Sequence, residues 1–104
     1  MDRNGRLARN ETIFREVNER IEKLAREGEW LEIVCECGKP ECNEPLRVTI
    51  AEYERVRQGP TDFLVAPGHA ISEIEVVLTG TNRFEVVRKR PGEGELARVT
   101  DPRS

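Results

Sequence analysis

The sequence predicts a small α+β domain, a mostly antiparallel sheet packed against an N-terminal helix, with a metal knuckle at a hairpin tip. Three observations predict it. Apolar residues recur at helical spacing early in the chain, short β-rich runs separated by turn residues follow, and three cysteines crowd into the polar loop Cys35-Glu36-Cys37-Gly38-Lys39-Pro40-Glu41-Cys42. Residues 10–98 read as one metal-stabilised domain between flexible tails at 1–9 and 99–104.

The first tail carries Arg3, Arg6 and Arg9 with little to bury. Asn10 is placed to cap a long helix in which Ile13, Phe14, Val17, Ile21 and Leu24 form an apolar stripe, and Gly28 is placed to close it. The opposite face, Arg15, Glu16, Glu19, Arg20, Glu22, Lys23, Arg26 and Glu27, has the mixed signs of a solvated surface. Trp30 to Cys35 reads as a strand, with Trp30 covering the core beside the helix. Leu46, Val48 and Ile50 alternate with polar residues as a second strand, antiparallel to the first. Thr49-Ile50-Ala51-Glu52 has the form of a capping box, so a short helix should follow, with Tyr53 and Val56 inward and a stop at Gly59-Pro60. Phe63 to Ala66 is a brief strand ended by Pro67-Gly68. Residues 72–78 fit a short helix through Ile74, Val77 and Leu78 or a strand through Ile74, Val76 and Leu78, and the helix is preferred. Phe84 to Lys89 is a last strand, and the chain from Glu95 onward is polar.

With 37% hydrophobic and 36% charged residues, a chain of 104 residues has little apolar material for a core, and a bound metal would supplement it. Seventeen basic against twenty acidic residues argue against a surface dedicated to polyanions. No stretch has the apolar length of a membrane span or the form of a secretory signal, so a cytoplasmic location is expected. In that reducing compartment clustered thiols point to metal or redox chemistry rather than disulfides, and three is an odd count.

Cysteines two apart on an extended chain point to one side, so Cys35 and Cys37 can converge on one ion. Gly38 permits a bend, Pro40 stiffens the return, and Cys42 closes the loop. Zinc takes a fourth ligand, and His69, the sole imidazole, follows a Pro-Gly turn at a strand end. Glu36, Glu41, Glu44 or water compete for that position, and an iron–sulfur cluster on three Cys and one His is the alternative cofactor. Three thiolates, an imidazole and Zn2+ leave one net negative charge, which Lys39 is placed to offset. Such sites contribute on the order of 10 kcal/mol to folding.

The C-x-C start and Pro-x-Cys end are similar to the CDGSH iron–sulfur pattern, although Asn43-Glu44-Pro45 stands where that family's histidine follows closely. The C-x-C start also resembles SWIM-type zinc fingers without their Cys-x-His end, and no deaminase signature is present: Ala70-Ile71 follows His69. Phe14-Arg15-Glu16-Val17-Asn18-Glu19-Arg20-Ile21, Cys35-Glu36-Cys37 with Cys42, Ala66-Pro67-Gly68-His69 and Thr100-Asp101-Pro102-Arg103 resemble a group of short bacterial proteins with the same layout and no established activity. That resemblance implies the grouping of the three cysteines with His69.

The function expected is a zinc-binding interaction or regulatory module with a structural metal and a protein partner, not an enzyme. Nucleic-acid binding is the first alternative, through Arg83, Arg88, Lys89 and Arg90 with Arg47 near, although a basic strand edge also serves simply to block aggregation. Redox sensing by the thiolates is the second. Hydrolytic chemistry would need an open metal position and a base such as Glu36 or Glu41, and four ready ligands argue against it.

Overall fold

A computed structural model describes residues 3–42 and 44–103 of the chain. The order of elements is α1 (Arg3–Leu24), β1 (Trp30–Val34), β2 (Pro45–Thr49), α2 (Ile50–Arg57), β3 (Asp62–Val65), β4 (Glu75–Gly80), β5 (Glu85–Lys89) and α3 (Glu95–Val99). The architecture is α+β, with the strands divided between an antiparallel hairpin, β1-β2, and an antiparallel sheet ordered β3-β5-β4.

The hairpin pairs Leu31 with Val48 and Ile33 with Leu46, so one face of each strand is apolar and buried while Glu32 and Arg47 lie outside. The capping box forms as expected: Glu52 N donates to Thr49 Oγ1 at 3.1 Å and Thr49 N to the Glu52 carboxylate at 2.8 Å. It starts α2, whose Tyr53 and Val56 are buried against Phe63, Leu64, Val65, Val86 and Val87 in a core shared by both sheets.

Several expectations are overturned. The helix begins by Arg3, not at Asn10, and Leu7 is buried, so residues 3–9 are helical rather than a flexible tail; Met1 and Asp2 lie outside the described residues. Most of the C-terminal stretch is likewise anchored: Asp101 is buried against Arg57, and Arg103 reaches the Glu19 and Glu54 carboxylates at 2.7 and 2.6 Å; Ser104 lies outside the described residues. A short helix, α3, occupies part of the sequence expected to be only polar. Residues 75–80 form strand β4 instead of a helix, and a bulge between Val77 and Thr79 breaks the alternation that made the stretch ambiguous. Trp30 is 48% exposed, with the Arg47 and Arg83 guanidinium groups 5.1 and 5.2 Å from its ring centroid, and does not cover the core.

The largest correction concerns the face of α1. Of the expected stripe, Ile13, Val17 and Leu24 are 50%, 41% and 86% exposed and Phe14 and Ile21 are half-buried, Ile21 against the core, whereas Leu7, Glu11, Arg15, Asn18 and Glu19 are buried. Those positions share one helical face, and every polar member of it meets a complementary group. Lys89 Nζ lies 2.6 Å from Glu11 and 3.2 Å from Glu75. Arg15 donates to the carbonyls of Pro60 and Ala97 at 2.7 and 2.8 Å and stacks 5.0 Å from the Phe63 ring centroid. The Asn18 carboxamide donates to Val34 O and accepts from Val34 N, both at 2.9 Å, which satisfies the open edge of β1. Arg57 pairs with Glu19 at 2.6 Å. A helix can bury such a face only when its partners are already fixed by other elements, because an unpaired buried charge costs several kcal/mol, roughly 3–5.

Candidate metal centre

Two loops, one from each sheet, build the centre. The first extends the hairpin past Val34, where Cys35 N donates to Glu44 O at 3.0 Å. Alternation then turns Glu36 one way and Cys35 and Cys37 the other. Glu36 is fully buried: its N donates to Leu64 O at 2.8 Å, and its carboxylate accepts from Leu64 N at 2.9 Å and from Asn18 Nδ2 at 2.7 Å. Burial pushes its carboxyl up to about 7, against the pull of the donors from Leu64 and Asn18. Glu36 therefore pins the root of the knuckle to β3 and does not face the cysteines as a ligand or base.

The knuckle then reverses at Gly38, whose φ of +79° lies in the left-handed region. A Cβ there would stand 2.5 Å from Leu7 O and 2.9 Å from Glu11 Cγ, so α1 and the knuckle touch at a point only glycine fits. Asn10 Nδ2 donates to Gly38 O at 2.9 Å beside that contact. Lys39 to Cys42 closes as a turn with Pro40 at its second position, Cys42 N donating to Lys39 O at 3.0 Å.

The second loop follows β3. Ala66-Pro67-Gly68-His69 has proline second, glycine third with φ +81°, and His69 N donating to Ala66 O at 2.9 Å, the signature of a type II turn. The turn brings His69 to the cysteines, and its first residue contributes too, since Ala66 N donates to Cys35 Sγ at 3.2 Å.

One ligand atom from each of Cys35, Cys37, Cys42 and His69 lies within 4.8 Å of the others. All three thiols are free, Cys35 and Cys37 buried and Cys42 half-buried. Nδ1 is the imidazole nitrogen turned inward, 3.6 Å from Cys35 Sγ and 3.5 Å from Cys42 Sγ. A tetrahedron with zinc bond lengths of about 2.3 Å to sulfur and 2.0–2.1 Å to nitrogen has a sulfur–nitrogen edge of about 3.6 Å. These four residues could hold a metal ion, and their soft donors suit zinc among several cations. The hydrogen bond between Cys35 and Cys37 holds the Cys37 thiol down to about 4 and pushes that of Cys35 up, burial adding to the second shift and opposing the first.

The structure therefore brings together all four residues that the sequence singled out. It disperses the basic set: Arg83 pairs with Glu52 at 2.7 Å, Arg88 with Asp62 at 2.8 Å, Lys89 is internal, and Arg90 donates to Ser72 O at 2.8 Å. Sequence reasoning missed Asn10 and Glu36 as the groups that seat the knuckle. The only local sign was their polarity beside Leu7 and Cys35, and their partners lie 28 residues away in each case. No helix is long and apolar enough to cross a membrane among the described residues. No protein-family model, no curated protein and no solved structure matches the chain.

Proposed function

We propose that the chain is a small zinc-binding module in which the metal is structural and whose role is to engage a protein partner. The observation that carries this reading is the origin of the ligands. Three come from the loop of hairpin β1-β2 and one from the loop leaving β3, so a single ion would staple the two sheets at one end. A closed set of four ligands leaves no position for water or substrate, as in structural rather than catalytic sites. The 4.8 Å spread of donor atoms favours one ion over an iron–sulfur cluster, which stands between its ligands and spaces them more widely. An outward apolar stripe on α1, with Ile13 and Val17 beside the Glu16–Arg20 pair, supports a protein-facing surface.

The test is elemental analysis of anaerobically purified protein, with an absorption spectrum and a melting curve before and after chelation. One zinc per chain, no visible colour and a collapsed melt on chelation are expected, with His69→Ala losing both metal and stability. A coloured iron protein would overturn the choice of zinc. Metal-free protein with a melt indifferent to chelator would overturn the structural-metal reading.

A further inference from the structure

A cleft of about 490 Å3 lies between the first turns of α1 and the tip of the knuckle. Its volume falls in the range of small-molecule sites, roughly 300–1,000 Å3. One wall is Arg3, Arg6, Leu7 and Asn10, which follow the helical spacing that puts side chains on a single face. The other is Lys39 and Pro40, with Glu41 at the rim of the same turn. The walls are held in register by the Asn10–Gly38 hydrogen bond of 2.9 Å and by the close seat of Gly38 on the Leu7 carbonyl.

Among the described residues, three cations and one carboxylate line this cleft. Arg83, Arg88, Lys89 and Arg103, by contrast, each pair with carboxylates at 3.2 Å or less. Arg3 and Lys39 have no ion-pair partner among the described residues. Guanidinium forks bind phosphate oxygens bidentately and an ammonium adds a compact charge, while Leu7 and Pro40 offer an apolar contact to the rest of a ligand. We infer that the cleft binds a small organic phosphate of nucleotide size, its phosphate held by Arg3 and Lys39. The cleft does not rest on the structural-metal reading.

The test is titration of metal-replete full chain with AMP, adenosine and inorganic phosphate, followed by calorimetry and amide NMR, with metal content measured in the same samples. AMP should saturate at or below about 1 mM, phosphate should compete with it, and adenosine should not bind. Arg3→Gln and Lys39→Gln should each weaken AMP roughly tenfold, and Arg98→Gln, on α3, should leave it unchanged. No saturation by about 10 mM, adenosine binding as tightly as AMP, or wild-type affinity in both cleft variants would overturn the assignment. Binding with the expected variant pattern in protein that holds no metal would leave the cleft standing and overturn only the structural-metal reading, which separates the two.

Discussion

At the knuckle, four donors of one electronic kind turn toward a common point, whereas beneath α1 cations and carboxylates turn toward one another. The first arrangement suits a guest ion and comes from short loops. The second pairs its charges within the chain and comes from α1, α2, β4, β5 and the C-terminal residues. In the second region the groups balance as well: Lys89 meets two buried carboxylates, Glu11 and Glu75. Burial, with Lys89 opposing, pushes the Glu11 carboxyl up to about 8, so a proton offsets the second carboxylate near neutral pH. A chain poor in apolar residues can thus fill its interior with polar groups in two ways, one with donors that could hold a metal ion and one with ion pairs of its own.

The largest expected effect is at the knuckle. Cys35→Ser should abolish metal retention and remove a large share of the roughly 10 kcal/mol such sites supply, while changing the chelated protein little. Denaturant unfolding of both forms, with metal analysis, checks this, and equal losses in both forms would refute it. Lys89→Met should cost about 3–5 kcal/mol with or without metal, because it leaves Glu11 and Glu75 facing each other without a cation. Metal stoichiometry should be unchanged, and a metal-dependent loss would mean that the two regions are not separate.

Gly38→Ala probes the contact between them. A methyl group meets the Leu7 carbonyl and the residue must hold φ +79°, so a loss of about 2 kcal/mol is expected in the denaturation midpoint. The last effect concerns Glu11 and varies with pH, vanishing near pH 4.5. Its folded pKa lies above its unfolded value, so folding takes up a proton, and the wild-type protein loses stability as pH rises from about 4.5 toward 8. Glu11→Gln lacks that loss. It should match wild type near pH 4.5 and exceed it by about 3 kcal/mol at pH 7, as urea midpoints across this range would show. Parallel pH profiles for the two proteins would contradict the assignment.

Much of the local structure was legible because its signals are short-range. The Thr49–Glu52 capping box, the Ala66–His69 turn and the alternation of Leu46 and Val48 each need only a few neighbouring residues. The grouping of Cys35, Cys37, Cys42 and His69 was legible for a chemical reason: three thiols in a polar loop and a lone imidazole after a Pro-Gly turn point to a shared site. The helix face was misread because Ile13, Val17 and Leu24 form as regular a stripe as Leu7, Glu11, Arg15 and Asn18. Periodicity alone favours the apolar one. The reading from Asn10 failed similarly, since a good capping residue is also a good long-range donor, and here it serves Gly38.

The sequence by itself determined the α+β class, the antiparallel hairpin, the second helix and its cap, and the membership of the Cys3His group. Each of these follows from backbone propensity, side-chain alternation or donor chemistry acting within one segment. Only the tertiary structure decided which face of α1 is buried, that the strands divide into two sheets, and that His69 approaches through Nδ1. The physical reason is that a buried charge is tolerated only beside its partner. Glu11 finds Lys89 and Glu19 finds Arg57 through contacts 78 and 38 residues apart, a matching that no local pattern encodes.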